Sequence, residues 1–66
     1  MTATEYRAAI LALGLSQVKA GEALEISERT SRRYAQTGVP EYAITRIKRR
    51  LQRLADARKE KQDEPR

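Results

Sequence analysis

Apolar residues fall in short groups along this 66-residue chain, and their spacing predicts helices. Tyr6, Ala9, Ile10 and Leu13 recur at intervals of three and four, the signature of one buried face on a helix over about residues 3–13. Thr2 followed by Glu5 fits a capping box at its start, and Gly14 suits the left-handed position after its end. Ser16 heads a second segment, about 17–24, rich in small residues (Ala20, Gly21, Ala23) that let another helix come close. Ser27 heads a third, about 28–36, which Gly38 stops. Pro40 suits the first position of a fourth, about 40–58. There Ile44, Ile47, Leu51 and Leu54 form an a/d stripe about two heptads long. The remainder, 59–66 (KEKQDEPR), has no apolar residue and is expected to be a charged flexible tail. No segment alternates as a strand does. The expected fold is all-α: a compact four-helix domain over 1–58.

Composition narrows the functions open to such a domain. There is no Cys and no His, which removes disulfides, thiolate metal sites and the commonest general base. The remaining carboxylates are scattered, and none is spaced as a catalytic pair, so neither an enzyme nor a cofactor or metal is expected. No small-molecule substrate is evident. The longest uncharged run, Ala8 to Val18, is 11 residues, too short to cross a bilayer. It follows Glu5 and Arg7 and lacks a good cleavage site, so no signal peptide or membrane partner is read. The expected location is cytoplasmic, with the nucleoid when bound to DNA. Hydrophobic residues make up 39%, so the core is thin and a second subunit or a ligand is expected to support it.

The net charge of +5 is unevenly spread. Residues 1–28 hold two basic and four acidic side chains, giving −2. Residues 29–58 hold nine basic and two acidic, giving +7, and eight of the nine are Arg. Arginine suits a planar fork meeting phosphate or a guanine edge, so this asymmetry points to a polyanion.

The connection between the second and third helices, Leu24-Glu25-Ile26-Ser27, is short enough for a helix-turn-helix. The run from Ser16 to Tyr34 (SQVKAGEALEISERTSRRY) resembles the Cro/C1-type helix-turn-helix of phage and bacterial repressors. The matching features are Gln17 opening the first helix of the pair and Gly21 at the crossing. Leu24 and Ile26 flank the turn, Ser27 caps, and an Arg-Thr-x-Arg-Arg run follows. With its flanking helices the likeness covers most of Thr4 to Leu54. It implies a lambda repressor-like fold. The family usually has Gly where this chain has Glu25, and Val or Ile where it has Ser31. If Glu25 is left-handed, its side chain costs roughly 1–2 kcal/mol.

The resemblance also implies roles. The third helix would enter the major groove and the second would cross the backbone. On a helical wheel Arg29, Arg32, Arg33 and Gln36 share one face, while Thr30, Ser31 and Tyr34 share the other. Glu28, Arg29, Arg32 and Arg33 are the expected base contacts. An ion pair with Glu28 or Glu25 is the alternative use of Arg32 or Arg33. Ser16, Gln17, Lys19, Ser27, Gln36, Arg49 and Arg50 are the expected phosphate contacts. Tyr6 and Tyr34 are expected in the core. Tyr42, Ile44, Ile47, Leu51 and Leu54 are the expected dimer interface; the same stripe could complete the monomer core by packing on the first helix, and the short chain argues for some of both.

The expected function is a sequence-specific, double-stranded DNA-binding regulator: a homodimeric autorepressor of a phage or mobile-element operon acting at an inverted-repeat operator. Pro40-Glu41-Tyr42 before an apolar helix is similar to compact regulators of anti-CRISPR operons. Two alternatives remain. An excisionase-like recombination factor would need a β-hairpin after the third helix. An antitoxin or other protein-interaction module would show a disrupted arginine face.

Overall fold

The computed structural model describes the backbone of residues 1–62 and the side chains of 1–58. Four helices follow one another: α1 (Ala3–Ala12), α2 (Gln17–Ala23), α3 (Glu28–Thr37) and α4 (Glu41–Gln62). No strand occurs among the described residues. The hairpin that an excisionase-like factor would place after α3 is therefore absent there, and α4 occupies its position.

Local capping sets the first three starts. The Thr2 hydroxyl accepts from the Glu5 N–H, and the Glu5 carboxylate accepts from the Thr2 N–H at 2.8 Å, closing the box. That backbone hydrogen bond, with the one from Thr2's side chain, holds the Glu5 carboxyl below its usual range. Ser16 and Ser27 cap α2 and α3 by accepting from the N–H groups of Lys19 and Thr30. Gly14 and Gly38 take positive φ after α1 and α3, as their spacing predicts. Two boundaries differ from the sequence reading. Pro40 lies just before α4 rather than in its first turn, and its carbonyl accepts from the Ala43 N–H. α4 also runs to Gln62, past the expected end at Arg58; the last part of the expected tail, 63–66, lies outside the described residues.

The core gathers Tyr6 and Ile10 of α1, Ala20 and Leu24 of the α2 region, Tyr34 and Ala35 of α3, Val39, and Ala43, Ile47 and Leu51 of α4. The Tyr6 and Tyr34 rings meet edge to face, 5.7 Å between centroids and 84° between planes. The α4 stripe is thus part of the chain's own core. Ile47 is 1% exposed and Leu51 8%, while Ile44 and Leu54 are half-buried against them. Of the two uses expected of the stripe, completing the monomer core is the one that buried Ile47 and Leu51 serve. A thin core needs all the apolar surface it can cover, and four helices cannot close without that stripe.

Ser31, the polar residue where the resemblance would put Val or Ile, is completely buried. Its hydroxyl donates to the Gln17 carbonyl at 2.7 Å. Having a single proton, it accepts the Tyr6 phenol proton in turn, also at 2.7 Å. A relay Tyr6 → Ser31 → Gln17 thereby ties α1, α3 and α2 together with no buried side-chain polar atom left unpaired among the described residues. Burial also raises the Tyr6 phenol above its ordinary value.

None of α1, α2 and α3 carries a basic residue in its last turn. Arginines from other helices fill the deficit. Arg58 donates to the Ala12 carbonyl at the end of α1, and Arg50 donates to the Leu24 carbonyl at the end of α2. Arg7 donates to the Ala35 carbonyl near the end of α3 at 2.9 Å. Each guanidinium meets terminal carbonyls and the negative end of a helix dipole, an arrangement worth about 0.3–1 kcal/mol apiece at the surface.

Candidate nucleic-acid interface

The geometry of the α2–α3 pair is set at two residues. Gly21 sits where α2 meets the start of α3. A Cβ there would lie 3.2 Å from the Ile26 carbonyl oxygen and 3.3 Å from that of Ser27, so an alanine would press on the backbone at the start of α3, which would have to yield by a few tenths of an ångström. Glu25 takes φ 59°, the left-handed conformation that the usual glycine would adopt freely. Arg50 braces this strained position. It bonds the Leu24 carbonyl and places a second nitrogen 3.8 Å from the Glu25 carboxylate. The connection between α2 and α3 thus takes a left-handed residue without a glycine there.

With Ser31, Tyr34 and Ala35 turned inward, α3 presents Glu28, Arg29, Arg32, Arg33 and Gln36 to solvent. Arg32 and Glu28 form an ion pair of 3.6 Å with both side chains more than half exposed. This is the alternative use anticipated for Arg32, and a screened pair of this kind holds little energy, so it leaves the guanidinium easily released. Arg29 and Arg33 form no ion pair among the described residues. Ser16, Gln17 and Ser27 are exposed at the starts of α2 and α3. Lys19, also exposed, pairs with Glu22 at 3.4 Å. Arg49 is exposed, whereas Arg50 is half-buried and held against the turn. The expected phosphate contact Arg50 thus has a structural task that spacing along α4 could not disclose.

Tyr42, expected in the core or an interface, is 89% exposed at the start of α4. It borders two open grooves. One is lined by Thr30, Arg33 and Thr37 of α3 with Val39 and Pro40. The other is lined by Glu25 and by Arg46, Arg49, Arg50 and Arg53 of α4. Off the α4 stripe, Arg46, Lys48, Arg49, Arg50 and Arg53 are read from the sequence as phosphate contacts or a general positive field; the intervals of four, three and four from Tyr42 put Arg46, Arg49 and Arg53 in one row. No group of acidic side chains that could hold a metal occurs among the described residues, and no described helix is long and apolar enough to cross a membrane. In comparisons with protein-family models, curated proteins and solved structures, the chain matches none.

Proposed function

We propose that this chain is a sequence-specific duplex-DNA-binding regulator of transcription, of the Cro/C1 helix-turn-helix type, with α3 as the helix that enters the major groove. The observation carrying this reading is the division of α3. Its inner face is locked to α1 and α2 through Ser31 and Tyr34, and its outer face bears three arginines that the core does not use. A rigidly held helix with an exposed arginine row, of which only Arg32 is paired, and that weakly, with Glu28, suits direct readout, because an arginine fork fits the O6 and N7 of guanine. Glu28 suits cytosine N4 and repels misplaced phosphates. The intact arginine face also favours DNA over the protein-interaction alternative.

The proposed setting is an operon of a phage or mobile element that the protein represses itself. A homodimer on an inverted repeat remains part of the proposal; Ile47 is buried in the chain's own core, and Leu51, largely buried, lines the groove between α1 and α4. Exposed apolar surface persists at Leu11 and Tyr42, and in a shallow groove between α1 and α4 lined by Met1, Ala9, Leu13 and Ala55.

Selection of bound sequences from a random duplex library supplies the test. Arg29→Ala or Arg33→Ala should each cost about 1–3 kcal/mol on the selected site, roughly 5- to 150-fold, and relax preference at one base pair. Circular dichroism should stay unchanged, since both side chains are exposed. If the triple variant of Arg29, Arg32 and Arg33 to Ala keeps the wild-type preference, α3 is not the reading helix.

A further inference from the structure

The groove beside α4 has its own electrostatic character. Arg46, Arg49 and Arg53 rise in one row along the helix, spanning about 10 Å at 1.5 Å per residue. All three are exposed, and no carboxylate pairs with them among the described residues. The one acidic side chain lining the groove, Glu25, is already met by Arg50. The row begins beside Tyr42, which also borders the groove against α3, so the two arginine surfaces are continuous.

The geometry points to this groove as a track for the sugar–phosphate backbone of one strand of the duplex that α3 reads, with Arg46, Arg49 and Arg53 each meeting a phosphate. The inference rests on the proposed DNA reading and adds a second contact surface to it. Three features select this occupant. Arginine forks in a straight row match a regularly spaced line of phosphates better than a scattered set of carboxylates. Continuity with the Arg33 side of α3 places the row beside a duplex docked there. A single strand would call for several aromatic platforms to stack successive bases, and the groove offers only Tyr42.

Salt dependence reads the contacts directly, because each phosphate neutralised contributes about 0.9 to the slope of log K against log salt. The experiment measures binding of the full chain to its selected duplex, to a scrambled duplex and to a single strand between 50 and 200 mM salt. The variants are R46A/R49A/R53A and its charge-keeping counterpart R46K/R49K/R53K. The alanine variant should lose nearly three units of slope. Its affinity should then change about forty-fold less than the wild type's across that fourfold salt range. Base preference should be untouched, and the lysine variant should recover the slope, which a purely structural role for the arginines would not produce. An unchanged slope in the alanine variant, while Arg29→Ala still alters base preference, overturns the groove and leaves the α3 reading standing. Tighter binding of the single strand than of either duplex overturns the proposed occupant. Wild-type protein that binds no duplex overturns the α3 reading and this inference with it.

Discussion

Replacing Ser31 by Ala removes the middle of the relay that joins three helices. Two partners then lose their bonds: the Tyr6 phenol its acceptor and the Gln17 carbonyl its side-chain donor. Tyr6 is completely buried, so water cannot readily replace the missing oxygen. A buried donor left unpaired costs about 1–3 kcal/mol, more than the net 0.5–1.5 kcal/mol of an ordinary hydrogen bond. Ser31→Ala should therefore destabilise the domain by about 2 kcal/mol. Tyr6→Phe should cost only about 1 kcal/mol, because Ser31 keeps its bond to Gln17. The double variant contains no orphaned phenol and should cost less than the sum by about 1 kcal/mol, a coupling well above the additivity error of about 0.5 kcal/mol. Urea and thermal unfolding followed by circular dichroism measure all three, with about 4–8 °C of Tm for each kcal/mol in a domain of this size. Strict additivity would show that the relay is not coupled, and a neutral Ser31→Ala would show that it does not hold α3.

Other perturbations test separate parts of the fold. Glu25→Gly should raise Tm by relieving a left-handed cost of roughly 1–2 kcal/mol, partly offset by glycine's greater freedom when unfolded. A fall in Tm would instead show that the Glu25–Arg50 pair outweighs the backbone strain. Arg50→Ala should lower stability by about 1 kcal/mol or more through the freed Leu24 carbonyl, with a smaller loss for Arg49→Ala, whose side chain is exposed. Gly21→Ala should destabilise by forcing α2 away from the backbone of the α3 start, and an unchanged Tm would refute that tight crossing. Because burial raises the Tyr6 phenol above its ordinary value of 10.0, the unfolded chain ionises first. Its contribution is complete below that pH and falls away as pH rises through the folded-state value. Tyr6→Phe should flatten this alkaline loss in unfolding measured across pH.

Legibility in the sequence followed the range of each interaction. The starts of α1, α2 and α3 rest on contacts within three residues, so Thr2, Ser16 and Ser27 could be read directly. The α3 faces were legible too, since helical period alone separates Arg29 and Arg33 from Ser31 and Tyr34. Ser31 stood out only as a departure, because its compensation comes from Tyr6, 25 positions away. The stripe on α4 was open to both a core and an interface use, and knowing how much of it the core takes required knowing how much surface α1 and α3 left uncovered. Arg50 and Arg58 were least legible. An arginine facing a distant carbonyl has the same local spacing as one facing solvent.

Those carbonyl-capping arginines divide the basic residues into two populations with different freedom to change. Arg7, Arg50 and Arg58 close the ends of α3, α2 and α1, so replacing them alters the fold before it alters recognition. Arg29 and Arg33 are exposed and form no ion pair among the described residues, and can be exchanged with little effect on the architecture. On the proposed DNA reading, a lineage drifts toward new target sequences by substituting the outer row of α3 while the scaffold stays intact. The two populations should accordingly diverge at different rates: the capping set slowly and together, the outward set quickly and one residue at a time.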